Sequence, residues 1–229
     1  MGVDETIDNS DLSLKNKENV KKNNGVEKKL QTNWFAIAGS VSSGKTTLVK
    51  KLADYYGFRT VTDHARAVIS EALQSGLSHD EFLQNRQFHQ DKIAERFVND
   101  CCGLDREEPA IHDYGLPCVH AFYTANSLNL NNQLKNACET FRYKRVFLVS
   151  PLDMIDDDVR ITTDFQRAIY YEVVEAYKEF GYQVIHVPTF YRDRTKSINA
   201  RFEFIKDQIN RSLLEKKPIV QDNKEKVFA

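Results

Sequence analysis

The sequence predicts an α/β fold in which five parallel strands form one sheet with helices on both faces. Three observations predict it. Short apolar runs alternate with stretches of helical periodicity from Asn33 to Leu214, the pattern that builds strand–helix–strand units. Arg145-Val146-Phe147-Leu148-Val149 is apolar almost throughout, as a strand covered on both faces must be. A turn rich in glycine and serine, Gly39 to Gly44, joins the first apolar run to the first helical stretch.

The elements follow in order. Trp34 to Ala38 reads as a buried strand stopped by Gly39, and Thr46 to Tyr56 as a helix stopped by Gly57. Phe58 to Thr62 is the second strand, and His64 to Leu73 the second helix, ended by Gly76. Ser78 followed by Glu81 is a capping-box signature, and Phe82, Phe88, Ile93 and Phe97 continue one long helix to about Val98. Ala110 to Asp113 is the third strand. Gly115 and Pro117 mark a turn, after which a helical segment runs from Val119 to about Leu128. Arg145 to Val149 is the fourth strand, Asp164 to Phe180 a helix, Val184 to Val187 the fifth strand, and Ser197 to Leu214 the last helix. The polar segment from Pro151 to Thr163, with three consecutive aspartates, is expected to act as a lid.

Composition bounds the function. The 229 residues are 41% hydrophobic, enough for one domain with a core, expected over residues 31–214 between a disordered polar tail at 1–30 and a flexible tail at 215–229. A formal net charge of -1 gives no overall field for nucleic acid or an anionic membrane. No apolar run approaches the roughly 20 residues of a transmembrane helix, and no secretory signal is visible. Cys101, Cys102, Cys118 and Cys138 have no metal-ligand spacing, so free thiols in a reducing, cytoplasmic setting are expected. Met1-Gly2-Val3-Asp4-Glu5-Thr6 matches the loose myristoylation pattern. A membrane partner is expected only if Gly2 is acylated, and the acidic Asp4 and Glu5 add no second membrane signal.

The chemistry begins at Gly39-Ser40-Val41-Ser42-Ser43-Gly44-Lys45-Thr46, which satisfies G-x-x-x-x-G-K-[ST]. A strand before it and a helix after it provide the context that this phosphate-binding loop, the P-loop, requires. Gly39 and Gly44 let the backbone turn so that the N–H groups of Ser42, Ser43 and Gly44 face a β-phosphate. The helix start adds its positive dipole end. Lys45 is expected to reach the β- and γ-phosphates, the Thr46 hydroxyl to ligate Mg²⁺, and Thr47 to meet the α-phosphate. The plain alternative, a Gly/Ser turn followed by a chance Lys-Thr, does not account for the flanking strand and helix.

Acidic and basic residues fall where such a loop would use them. Asp113 ends the third strand, and ligands in open parallel sheets sit at the carboxyl ends of strands. It is expected to order Mg²⁺ or accept a proton from a phosphoryl acceptor; the alternative is a helix cap. Asp63 follows the second strand and opens the second helix, as a cap or as the holder of an acceptor hydroxyl. Arg66 lies about one turn on, on the same side, so carboxylate and guanidinium together suit a polar, anionic substrate. Arg160 in the lid segment and Arg167 on the helix after it are candidates to stabilise a transferring phosphoryl group; the alternative for Arg160 is pairing with Asp156, Asp157 or Asp158.

Residues 33–210 resemble the AAA-type P-loop domain shared by the ribosylnicotinamide-kinase half of bacterial NadR and the eukaryotic Ttd14-like proteins. Four pieces carry the likeness: Ala38 through Thr47; Val61-Thr62-Asp63-His64-Ala65-Arg66-Ala67-Val68-Ile69; Ile111 to Pro117 with Ala121-Phe122-Tyr123; and Asp157-Asp158-Val159-Arg160 with Gly181-Tyr182 and Arg201 to Ile205. The resemblance implies a nucleotide-kinase-like P-loop NTPase with a lid, binding ATP or GTP with Mg²⁺. It also implies base contacts near Arg192, Arg194 and Arg201. The chain departs from the family's pattern at Tyr114, where the family has arginine, and at Cys118, where it often has aspartate. Either the substrate differs, or Tyr114 stacks on a base, or catalysis is weakened.

The leading expectation is therefore a phosphotransferase acting on a small nucleoside- or nucleotide-like acceptor. The alternative is a nucleotide-dependent binding or regulatory module, linked to trafficking or lipid in the Ttd14-like manner. A nucleic-acid ATPase is disfavoured by the neutral charge and by the lack of a basic stripe with aromatics.

Overall fold

The computed structural model describes residues 29–151 and 163–214. The expected lid with Arg160, the Gly2 acylation pattern and the C-terminal tail lie outside the described residues.

A two-residue strand, β1 (Leu30–Gln31), precedes the P-loop strand β2 (Trp34–Gly39) and helix α1 (Lys45–Tyr56). Strand β3 (Arg59–Val61) leads to α2 (Ala65–Gln74), α3 (His79–Gln84) and α4 (Arg86–Gly103). Strand β4 (Ala110–Asp113) is followed by α5 (Leu116–Ala125), α6 (Asn132–Thr140), β5 (Phe141–Arg142) and β6 (Arg145–Val149). Helix α7 (Thr163–Glu179), β7 (Ile185–Val187) and α8 (Arg194–Leu214) complete the order. Five strands form one sheet in the order β3-β4-β2-β6-β7, every pairing parallel; β1 and β5 form a separate parallel ribbon.

The sheet is covered on both faces, and the sequence shows how. Along β2, Trp34, Ala36 and Ala38 point into one core and Phe35 and Ile37 into the other. Along β6, Val146 and Leu148 join the first core, Phe147 and Val149 the second. Period-2 alternation thus feeds two apolar layers, so both halves of it must be apolar. The second core is closed by Leu48, Val49 and Leu52 of α1 and Ile198, Ile205 and Ile209 of α8. The first is closed by residues of α2, α4, α5, α6 and α7. Among the described residues no helix is long and apolar enough to cross a membrane.

Three local readings need correction. The long helix expected from Ser78 is two helices. The capping box forms, with the Ser78 side chain accepting from the Glu81 N–H and the Glu81 side chain from the Ser78 N–H. The helix then closes at Asn85, whose amide side chain donates to the Glu81 carbonyl at 3.1 Å. Pro117 does not precede its helix but sits in the first turn of α5, where a missing N–H costs nothing. Helix α6 was not expected; the Asn131 side chain caps it by accepting from Gln133 and Leu134 N–H.

His112 on β4 gives the fold a pH limit. The ring is fully buried, 5.3 Å from the Trp34 ring and 5.0 Å from that of Tyr143, whose hydroxyl lies 3.3 Å from Nδ1. Burial pushes its pKa down to about 3. The unfolded chain, with an ordinary imidazole pKa near 6.5, binds this proton more readily than the folded one, so stability rises with pH between those two values. Stability is therefore expected to fall by at most about 4 kcal/mol as pH drops from 7 towards 3 through this group alone. Urea unfolding across that range should show the slope, and His112→Phe should flatten it.

Candidate functional site

The site is built where β2 and β4 end side by side, Ile37 paired with Asp113. Beyond Ile37 the backbone turns at Gly39, with φ 139°, against the neighbouring strand; a Cβ there would overlap the Val149 carbonyl. Gly44, with φ 86°, takes the left-handed conformation that starts α1 without a side-chain cap. The first N–H groups of α1 are thus left to a ligand, and they point where an anion is favoured.

Lys45 is 4% exposed. Its Nζ donates to the Ser40 carbonyl and to Ser43 Oγ, and lies 4.3 Å from the centre of the Tyr114 ring. Burial pushes the ammonium pKa down, while Asp113, Cys118 and Asp63 pull it up. Thr46 Oγ1 donates to Asp113 Oδ2 at 2.6 Å. Asp113 is buried, and burial pushes its carboxyl pKa up against the Thr46 hydrogen bond and the Lys45 charge. Its second oxygen, Oδ1, is buried with no partner among the described residues.

Asp63 caps the start of α2, accepting from the Ala65 N–H at 2.9 Å. It nonetheless belongs to the same group of charges: Asp63 and Arg66 both act on Lys45, Asp113 and Tyr114. The structure therefore gathers Lys45, Thr46, Asp113, Asp63, Arg66 and Tyr114 around one point. Ser42, with φ 58°, and Thr47 are exposed, one on the loop and one on the first turn of α1. Arg167 stands exposed on α7.

Two residues sit differently from their expectation. Tyr114 does not offer a free face for a base: its ring is buried over the Lys45 ammonium, and its backbone is left-handed at φ 69°. Its N–H donates to the Ile37 carbonyl at 3.2 Å, which fixes that turn. Arg201, expected near a base, is buried at the foot of the loop. Its guanidinium donates to the carbonyls of Ser43 (2.9 Å), Ser150 (2.9 Å) and Pro188 (3.0 Å) and to Thr189 Oγ1 (2.6 Å). Burial pushes its pKa down to about 10, so it stays charged at neutral pH. Its helical spacing gave a signal: Ile198, Arg201 and Ile205 lie on the buried face of α8.

The donor set also tests for a metal. Among the described residues no group of three or more His, Cys, Asp or Glu would hold one alone. A hydroxyl and a carboxylate with one unpartnered oxygen instead fit a hard divalent ion that takes most of its oxygens from phosphates and water.

A central strand running into G-x-x-x-x-G-K-T, an acid at the end of the adjacent strand and a doubly covered parallel sheet define a P-loop protein of nucleotide-kinase-like fold. The chain belongs to the AAA domain family, whose profile matches residues 34–194. Solved structures agree on the fold. Deoxyadenosine kinase from M. mycoides, with dCMP and dCDP bound, superposes with a TM-score of 0.55 at 12% identity, covering 78% of this chain and 99% of that one. NadR in complex with NAD and AMP-PNP gives 0.53 at 14% identity over 78% of this chain and 50% of its own. Thymidylate kinase from Candida albicans gives 0.50 at 16% identity over 79% and 93%. No curated protein matches the sequence.

The Arg201 contacts generate a prediction. Arg201→Lys keeps the charge but cannot reach four acceptors, leaving buried carbonyls unpaired. It should lower stability by about 2–4 kcal/mol in urea unfolding and weaken nucleoside triphosphate binding in calorimetry. An unchanged midpoint would remove Arg201 as the fastening of the loop.

Proposed function

We propose that this protein is a nucleoside-triphosphate-dependent phosphotransferase acting on a small nucleoside- or nucleotide-like acceptor. One observation supports it most: the 2.6 Å bond between Thr46 and Asp113, with Asp113 Oδ1 buried and unpartnered beside the buried Lys45. Lys45 and the N–H groups of Ser42 to Thr47 would hold the triphosphate of ATP or GTP. Thr46 and Asp113 would hold Mg²⁺, which when bound neutralises charge between the phosphates. Asp113 or Asp63 would orient the acceptor hydroxyl and receive its proton; a carboxyl whose pKa is raised by burial suits that exchange. Arg66 would hold an anionic group of the acceptor, and Arg160 and Arg167 would supply positive charge from the lid. The products bound to the similar kinase and the AMP-PNP bound to NadR are consistent with this chemistry.

A second reading is favoured by one contact, the Tyr114 ring over Lys45. It restrains the lysine that a transfer reaction needs, as a nucleotide-dependent binding module would tolerate.

The test is a transfer assay with labelled ATP or GTP, Mg²⁺ and a panel of nucleosides, nucleotides and phosphoinositides. Lys45→Ala and Asp113→Asn should each cut transfer by about 10²-fold or more with unchanged circular dichroism. Activity surviving in Asp113→Asn would take that residue out of the reaction. Tight nucleotide binding with transfer to nothing on the panel would favour the binding module.

A further inference from the structure

Helix α2, the turn after it, Asn85 and helix α4 line a half-open pocket of about 580 Å³ whose lining includes none of Lys45, Thr46, Asp63, Arg66, Asp113 and Tyr114. Asn85, at the break between α3 and α4, is part of its lining. Because α3 folds back instead of continuing into α4, Phe82 lies flat on His89, with 4.1 Å between ring centres and 17° between planes. Val68 and Ala72 of α2, Leu77 of the following turn and Phe88 of α4 give the pocket apolar walls. Its volume falls in the range of small-molecule sites.

His89 also lines it, and His89 is the anomaly. The side chain is 5% exposed, and neither ring nitrogen has a partner among the described residues. Most buried polar atoms in folded proteins are paired, so two on one ring, unpartnered among the described residues, call for a partner. Burial, then the Lys92 charge, pushes the His89 pKa down. The neutral ring offers one N–H donor and one acceptor.

The rim sets the charge of that partner. Lys92 lies on it, with Nζ 4.5 Å from the centre of the Phe88 ring. The carboxylate on the rim, Glu71, is held in a two-point pair by Arg96 at 2.9 and 2.6 Å. Two cations thus face one carboxylate that is already engaged, and the surplus is positive.

We propose that this pocket is a second ligand site for a small amphiphilic anion. Its apolar body would lie on Val68, Ala72, Leu77 and Phe88, and its anionic head would accept a hydrogen bond from His89 and face Lys92. The site begins two residues beyond Arg66 along α2, about 3 Å along the helix axis, and ends about 13 Å from it at Ser75.

The test uses the full chain and two probes of one shape, 4-phenylbutyrate and the neutral 4-phenylbutanol, with affinities from ligand-observed NMR titration. The anion should bind the wild type about tenfold or more tighter than the alcohol. Lys92→Glu, a surface change, should abolish that preference. His89→Phe, which keeps the ring stack, should weaken the anion by a similar factor. Arg66→Ala should leave both affinities unchanged. Absence of binding to the wild type at millimolar probe, or binding indifferent to both pocket variants, would overturn the proposal. Loss of binding in Arg66→Ala would also overturn it, because the pocket would then be an extension of the acceptor site.

Discussion

Arg201 rises from α8 into a space without solvent and meets oxygens from three separate stretches of chain. Ser43 belongs to the P-loop, Ser150 follows β6, and Pro188 and Thr189 follow β7. Parallel strands end with carbonyls that the next strand does not satisfy, and a loop packed over them shuts out water. Only a guanidinium presents enough N–H groups, in a fixed fork, to answer four oxygens from one position. Its charge costs desolvation, visible in the lowered pKa, and the short hydrogen bonds offset that cost. The loop's shape is therefore set from below, by α8, as well as by its own glycines.

Above that floor the site is a balance of buried charges. Lys45 and Asp113 are each disfavoured by burial and each favoured by the other. Asp63 and Arg66, at the mouth, act on both with opposite signs. One ammonium, one guanidinium and two carboxylates thus face one another in one place. The same balance explains why Asp63 serves two ends. Its bond to the Ala65 N–H fixes the start of α2, and so fixes where Arg66 projects.

Much of this was legible in the sequence. The five strands of the main sheet and the P-loop were readable because parallel strands are apolar on both faces and the loop has obligatory residue types. Asp113, which ends its strand, and Asp63, which follows one, stood out as candidates for that reason. Less legible were features that depend on contacts distant in sequence. The break at Asn85 competes with a continuous apolar period from Phe82 to Phe97; the Asn85 bonds to the Glu81 carbonyl and the stacking of Phe82 on His89 go with the break. Helical spacing puts Arg201 on the buried face of α8, but its acceptors, up to 158 positions away, have no sequence signal. The two-residue ribbon of β1 and β5 has no pattern long enough to read.

Tyr114 is where the two functional readings meet, and its geometry bears on both. A left-handed tyrosine is strained, so the surroundings must hold it: the N–H is bound to Ile37, and the ring lies on Lys45 with Phe122 6.0 Å away. The ring and the Ser40 carbonyl together keep the lysine folded back on its own loop. A triphosphate must replace those contacts, and it offers stronger ones, since a charge-assisted bond to phosphate exceeds one to a neutral carbonyl. The bond between Thr46 and Asp113 does not involve the ring. Tyr114 thus restrains the resting loop without dismantling the pair expected to hold the metal. The ring over Lys45 is therefore the contact on which the two readings divide.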